Sequence, residues 1–315
     1  MTDVYTIRHE EQNHLSDADQ VEISAIIRGT AVIDDGVYDE RVAGVLDDEA
    51  EALGGGDARW QRQDLVLEGE VGPVRAEIER RMAKLGGAYP FTLDGNQVVY
   101  NPSAHGFYEY FLAISTSPSL TKKPFTGLPR TFERITAQLV RAYMGVHTET
   151  FHTGAPRNPD AGRTYAAAMQ KLHEAAGERD WFWSPERGYP MAPTRGGDEG
   201  LDFVVWKKAL DDRIGEIVII GQCACGNDWA NKFADLTHDR LNPWFRPVTY
   251  VPAIRCFATP FVLSDGNFLT ATARAGWTLD RIRLVKLGEA AAADNEVLSW
   301  VPTMRDMLGL VAVAA

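Results

Sequence analysis

The strongest periodic signal along the chain starts at Phe132. Phe132, Ile135, Leu139, Val140 and Tyr143 recur at three- and four-residue spacing and stop near Gly145, which predicts an amphipathic helix with one buried stripe. Glu133 lies at the edge of that stripe, where a carboxylate is either solvated surface or the wall of a cleft. A second helical stretch is predicted over 164–176. The period then changes to two. Asp202, Val204 and Trp206 alternate with Phe203 and Val205, and Val218, Ile220, Gln222 and Ala224 share one face of the next apolar run. A turn over 209–215 makes these an antiparallel hairpin that brings Asp202 near Gln222 at one end. Residues 227–236 predict a helix capped by Asn227 directly after the hairpin. Strands over 252–259 and 281–286, joined by a helix around 267–275, follow it.

Upstream, Val74, Ile78, Met82 and Leu85 predict a helix ended by Gly86-Gly87. Residues 91–100 then place two short apolar runs around Asp94-Gly95, a hairpin signal. A helix followed by a hairpin fits a winged-helix module and equally many other small α/β domains. Residues 106–116 read as a core helix, Gly54-Gly55-Gly56 as a loop, and 117–129, with Pro118, Pro124, Pro129 and Gly127, as a linker. The expected organisation is a smaller acidic α+β domain over 1–120 and an α/β domain over 130–315, with an insertion at about 147–193.

Charge supports that division. Residues 1–100 carry 21 Asp or Glu against 9 Lys or Arg, the whole of the net −12, and the remaining 23 acids and 23 bases cancel. The acidic part would repel nucleic acid, mask a site, recruit a basic protein partner or simply keep the chain solvated. The apolar runs 217–220 and 310–315 fall far short of the roughly 20 residues of a membrane helix, so no membrane span is expected. The start Met-Thr-Asp-Val-Tyr lacks the basic and apolar segments of a secretory signal, which makes the expected location cytoplasmic. Three cysteines are too few for a disulfide framework, and reduced thiols are expected.

The candidate chemistry gathers at the hairpin end. Asp202 and the amide oxygen of Gln222 on adjacent strands, with Glu133 from a packed helix, make a hard-oxygen pocket suited to Mg²⁺ or Mn²⁺. A cation there lowers the pKa of water and offsets charge on a phosphodiester, so phosphate hydrolysis is the natural reaction.

The order Phe132-Glu133 on a helix, Gly196-Gly-Asp-Glu-Gly-Leu-Asp202, a hairpin and Ile219-Ile-Gly-Gln222-Cys223 resembles the PD-(D/E)XK nuclease superfamily, in particular its Mrr-like restriction-endonuclease branch, over residues 131–287. The resemblance implies a restriction-endonuclease-like mixed sheet flanked by helices. It also implies that Glu133, Asp202 and Gln222 bind the metal, that DNA is the substrate more than RNA, and that the protein takes part in defence against foreign DNA. The family carries a lysine two residues after the Glu or Gln, and here that position is Ala224. Either the fold is catalytically inactive and binds DNA or scaffolds a complex, or the amine comes from elsewhere. Some members of the superfamily have a migrated lysine, and Lys232 is the candidate, ahead of Lys207 and Lys208. Arg195, Arg255, Arg274, Arg281 and Arg283 would supply phosphate contacts. A homodimer would let two sites cut both strands.

Other constellations carry less. Cys223, Cys225, Cys256 and His238 have a spacing poorly suited to zinc. A thiol nucleophile at Cys223 or Cys225 with His238 needs a lowered pKa that nothing in the sequence provides. Neither glycine cluster continues into a nucleotide-binding loop. Trp181, Phe182 and Trp183 would either stack on unpaired bases or pack an insertion onto the core.

Overall fold

The structure is a computed structural model that describes residues 13–33, 57–154, 157, 162, 164–176, 181–182, 200–211, 213, 215–226, 228–237, 241, 244, 246–247 and 251–314. The chain divides into two compact units, Met1–Pro118 with Arg305–Ala315, and Ser119–Met304. The expected second domain ran on to residue 315, whereas the last helical turns group with the first unit.

In the first unit, α1 (Asn13–Arg28) ends at Gly29, whose φ of +85° turns the chain into β1 (Thr30–Val32). Helix α2 (Asp57–Leu85) carries the predicted stripe, with Val74, Ile78 and Leu85 buried. Strands β2 (Phe91–Asp94) and β3 (Gln97–Tyr100) form the predicted hairpin around Gly95, and β1 adds to β3, giving an antiparallel sheet in the order β1-β3-β2. Helix α3 (Phe107–Thr116) is almost wholly buried, as its run of aromatics requires. The polar centre of the unit is Arg81, fully buried, which donates to Asp19, Glu22 and Glu77 at 2.6, 3.0 and 2.7 Å and so ties α2 to α1.

In the second unit, α4 (Gly127–Met144) begins inside the segment read as a linker, Pro129 being tolerated in a helix's first turn. Phe132, Ile135, Leu139 and Val140 are buried, while Tyr143, counted in the predicted stripe, is 62% exposed. Arg141 anchors the far end of α4 by a two-pronged bond to Asp294 at 2.7 Å. Strand β4 (Thr148–His152) comes next, in a segment read as part of an insertion; it is an edge strand of the main sheet. Helix α5 (Tyr165–Ala176) follows, and β5 (Trp181–Phe182) pairs outside that sheet. The predicted hairpin is β6 (Phe203–Lys207) and β7 (Ile217–Cys223), with Gly221 lying flat against the Phe203 ring, where no Cβ would fit. A 3-10 helix (Trp229–Ala234) leads towards β8 (Arg246–Pro247), which pairs with β5. Strand β9 (Ile254–Ala258) is parallel to β7. Ser264 caps α6 (Asp265–Ala275) by accepting from Asn267 N, and β10 (Trp277–Leu279) then lies parallel to β9.

Residues 281–286, expected as a strand, are helical. Asp280 accepts a hydrogen bond from Arg283 N, the mark of an N-cap, and starts α7 (Arg281–Ala290), whose Ile282, Leu284, Val285 and Gly288 are buried. The closing strand is β10, just before it. Short α8 (Asn295–Leu298) and α9 (Val301–Ala314) end the described chain. By length and composition, Asn295–Ala314 is apolar enough to cross a membrane, with a mean hydropathy of 1.3. It is broken by a turn at Ser299 and Trp300, and within α9 only Met304 and Val311 are buried.

The result is a mixed five-stranded sheet in the order β10-β9-β7-β6-β4, flanked by helices, in which β6 alone runs against its neighbours. Val204, Trp206, Val218 and Ile220 pack on one side with Leu236, Trp244 and α5. Alternation turns Phe203, Val205 and Ile219 to the other side. The hairpin is thus buried on both faces, with Asp202 just before β6 and Gln222 still paired to β9 near the end of β7.

Candidate active site

Two of the expected carboxylates meet. Asp202 precedes β6, where its N–H donates to Gly221 O at 2.9 Å and its carbonyl accepts from Thr153 N and Gly154 N at 2.8 and 3.0 Å. Its Oδ2 accepts from Cys223 N at 2.6 Å, so the backbone at the end of β7 holds the side chain while the residues after β4 hold its main chain. Glu133 reaches the same place from α4, and its Oε2 lies 2.9 Å from His152 Nε2 on β4. The two carboxylates share the space beside Gly154. A Cβ there would collide with Glu133 Oε2 and stand 3.2 Å from Asp202 Oδ1.

Gln222 is one residue past Gly221, which the ladder pairs with Phe203, so it stands at the same end of the hairpin as Asp202. Its amide is engaged: Nε2 donates to Asp235 Oδ2 at 2.9 Å. Asp235 follows the 3-10 helix and donates its own N–H to Lys232 O at 3.0 Å. Side chains three apart in a 3-10 helix eclipse, so Lys232 and Asp235 leave the same face. The element differs from the α-helix expected over 227–236. Its backbone bonds run from i to i+3, its N-capping position is Asp228 with no side-chain cap bond, and Asn227 lies outside the described residues.

The buried thiols report the local field. Burial pushes Cys225 up, Glu133 and Asp202 push it further, and Lys232 pulls it back. All three charges therefore act on one sulfur. Burial, then Asp202 and Glu133, hold Cys223 high as well, and burial alone raises Cys256. These cysteines are free and buried, and burial raises all three thiols, the opposite of the lowered pKa that a thiol nucleophile needs. His238 lies outside the described residues.

Of the other amines, Lys207 Nζ donates to Met144 O and Val146 O, and Lys208 pairs with Glu149, at the far end of β6. The position where the family carries its lysine is Ala224, which is fully buried. Among the arginines expected to meet phosphate, Arg281 does not qualify: it is fully buried and donates to Pro260 O at 2.8 Å. Arg255 donates to Phe233 O at 2.6 Å, Arg283 lies over the Phe268 ring, and Arg274 is exposed. Arg195, Trp183 and the side chains of Trp181 and Phe182 lie outside the description.

Among the described residues, no group of three or more His, Cys, Asp or Glu is arranged to hold a metal ion. The pair Glu133 and Asp202 suits Mg²⁺ nonetheless, because that ion takes one or two carboxylates and completes its shell with water and substrate phosphate. The shared space at Gly154, which a Cβ would fill, is where such an ion fits the donor set. His152, Gly154 and Asp235 escaped the sequence reading. Each earns its place through a partner distant in the chain, and no local pattern marks it.

No protein-family model matches the chain, no curated protein matches it significantly, and no solved structure does.

Proposed function

We propose that the chain is a metal-dependent nuclease of the restriction-endonuclease-like PD-(D/E)XK type, acting on DNA. The observation that carries this reading is the convergence of the Glu133 and Asp202 carboxylates on the space beside Gly154. The sheet supports it. A helix bearing Glu133, a hairpin with Asp202 and Gln222 at one end, and a parallel strand beyond come in the order the sequence resemblance requires.

Glu133 and Asp202 would hold Mg²⁺ or Mn²⁺, with the Gln222 amide oxygen on the ion or on its water. When bound, the ion supplies an activated water and offsets charge on the phosphodiester. His152 orients the Glu133 carboxylate by hydrogen bonding to it, and the backbone N–H of Cys223 does the same for Asp202. The Lys232 ammonium would stabilise the phosphate charge in place of the residue missing at Ala224.

Purified protein is incubated with plasmid, linear DNA and RNA in Mg²⁺, Mn²⁺ or EDTA. Cleavage that needs the metal is expected. Asp202→Ala removes an interaction worth several kcal/mol and should slow cleavage at least about 100-fold. Cleavage that persists in Asp202→Ala removes this site, and absence of cleavage with every metal removes the enzyme reading. The alanine at 224, in place of the lysine that the resemblance implies, favours one second reading, a nuclease fold that binds DNA without cutting it. In that case DNA is retained in a mobility-shift assay and never cut. Under the enzyme reading Lys232→Ala cuts slowly, and normal cutting by that variant removes the migrated lysine alone.

A further inference from the structure

The Gln222 amide sits in a setting built for one of its two orientations. The residue is 4% exposed, and its Nε2 points at Asp235 Oδ2, 2.9 Å away. A carboxylate accepts hydrogen bonds and cannot donate them, so the half of the amide that faces Asp235 has to be the NH₂. The carbonyl Oε1 is thereby turned the other way.

Asp235 lies against the backbone at Gly200. Gly200 has a φ of +77°, open to glycine and strained for other residues. A Cβ there would stand 2.7 Å from Asp235 Cβ and 3.1 Å from Gln222 Nε2. Gly200 therefore lies directly against the pair. Two residues later the chain delivers Asp202 to its place at the same end of the hairpin as Gln222.

We propose that Asp235 is a positioning residue: seated by Gly200, it locks the Gln222 amide with its oxygen available to the divalent cation. This rests on the nuclease reading. The two orientations of a glutamine amide fill the same space. Hard divalent cations take oxygen ligands and are repelled by N–H donors, so an unlocked amide presents the wrong atom part of the time. The lock also accounts for glutamine at 222, because a glutamate there would set two carboxylates within hydrogen-bond distance of each other.

Mn²⁺ binding to the full-length chain, measured by titration calorimetry beside thermal unfolding of the metal-free protein and DNA cleavage, tests the lock. Asp235→Asn, which can face Gln222 with either a donor or an acceptor, should weaken Mn²⁺ binding about 10- to 100-fold, the usual effect of losing a ligand's supporting partner. Adding Gln222→Glu to Asp235→Asn should restore the affinity, since the asparagine amide introduced at position 235 can donate to the new carboxylate and no glutamine amide remains to be oriented. Gly200→Ala keeps the Asp235 charge while pushing the side chain off Gln222, and should weaken Mn²⁺ as Asp235→Asn does. Its positive φ makes it the variant most exposed to a folding defect, and the double variant decides the matter if it does not fold. Wild-type affinity in Asp235→Asn or in folded Gly200→Ala, or a double variant no better than Asp235→Asn, overturns the lock and leaves the nuclease reading in place. Wild-type protein that neither binds Mn²⁺ nor cuts DNA removes both.

Discussion

Gly154 separates folding from chemistry at a single position. Its backbone is not in the left-handed region, so an alanine there meets no conformational strain, but it meets the end of the Glu133 side chain and stands 3.2 Å from Asp202 Oδ1. That end is flexible and can swing away. Gly154→Ala is therefore expected to keep its folding free energy within about 1 kcal/mol of wild type. The carboxylate it displaces is another matter, since misplacing a catalytic group by about 1 Å can cost roughly 100-fold in rate. Paired measurements of unfolding midpoint and cleavage rate check this, and normal cutting by a folded variant would show that Glu133 and Asp202 do not act together. Glu133 could be picked out from the sequence because it borders a helical stripe, and Asp202 because it opens an alternating strand. His152 and Asp235 could not. Their partners Glu133 and Gln222 lie 19 and 13 residues away, and only the folded sheet brings them together.

At the scale of elements, α1 and α2 are joined by charge as well as by apolar packing. Arg81 pairs with Asp19, Glu22 and Glu77, Arg80 joins it on Glu77 at 2.6 Å, and Tyr89 and Tyr108 donate to Glu22 at 2.5 and 2.6 Å. Removing one partner of a buried ion cluster leaves the others uncompensated. Arg81→Met is expected to cost about 3 to 5 kcal/mol in a denaturant titration followed at the first unit. Burial raises the Glu77 carboxyl and the arginines Arg81 and Arg80 lower it by more, so its folded pKa lies below the usual 4.5. The stability this contributes is complete above pH 4.5 and is lost as pH falls through the depressed value. Urea midpoints between pH 6 and 3 should therefore drop more steeply for wild type than for Arg81→Met; equal slopes would mean that the arginine is not what depresses Glu77. The local pattern announced the last turns of α2, from Val74 to Leu85, together with α3 and the β6-β7 hairpin, because one period dominates each, while the first seventeen residues of α2 went unmarked. It misassigned 281–286, where Ile282, Leu284 and Val285 suit either period, and the deciding cue was the capping Asp280 one residue earlier. The strand β4 was lost inside a supposed insertion because five residues at a sheet edge, only one of them buried, carry little alternation.

At the scale of the whole molecule, the chain returns to its first unit at its end. Arg305 Nη2 donates to Ala104 O at 2.8 Å, the Arg305 stem lies 3.9 Å from where a Cβ on Gly106 would be, and Val311 is fully buried. The same arginine opposes the rise of the Tyr100 hydroxyl, which burial and Glu109 push up to about 12. Sequence could not reveal this grouping, since an apolar stretch such as 307–315 says that a core exists and not which one. The acidic excess of residues 1–100 gives no guide either, because charge at the surface does not choose a packing partner. Ending the chain at Met304 removes one fully buried valine, worth about 1.5 to 3 kcal/mol, and one hydrogen bond worth about 1 kcal/mol. Those losses fall on the unit that contains residues 91–116, while the five-stranded sheet keeps every residue of its own core. Hydrogen exchange read by mass spectrometry should accelerate across β2, β3 and α3 in the shortened chain and stay unchanged across β6 and β7. Acceleration across β6 and β7 instead would mean that the last helix supports the sheet that carries Asp202 and Gln222, and that its removal disturbs the candidate site directly.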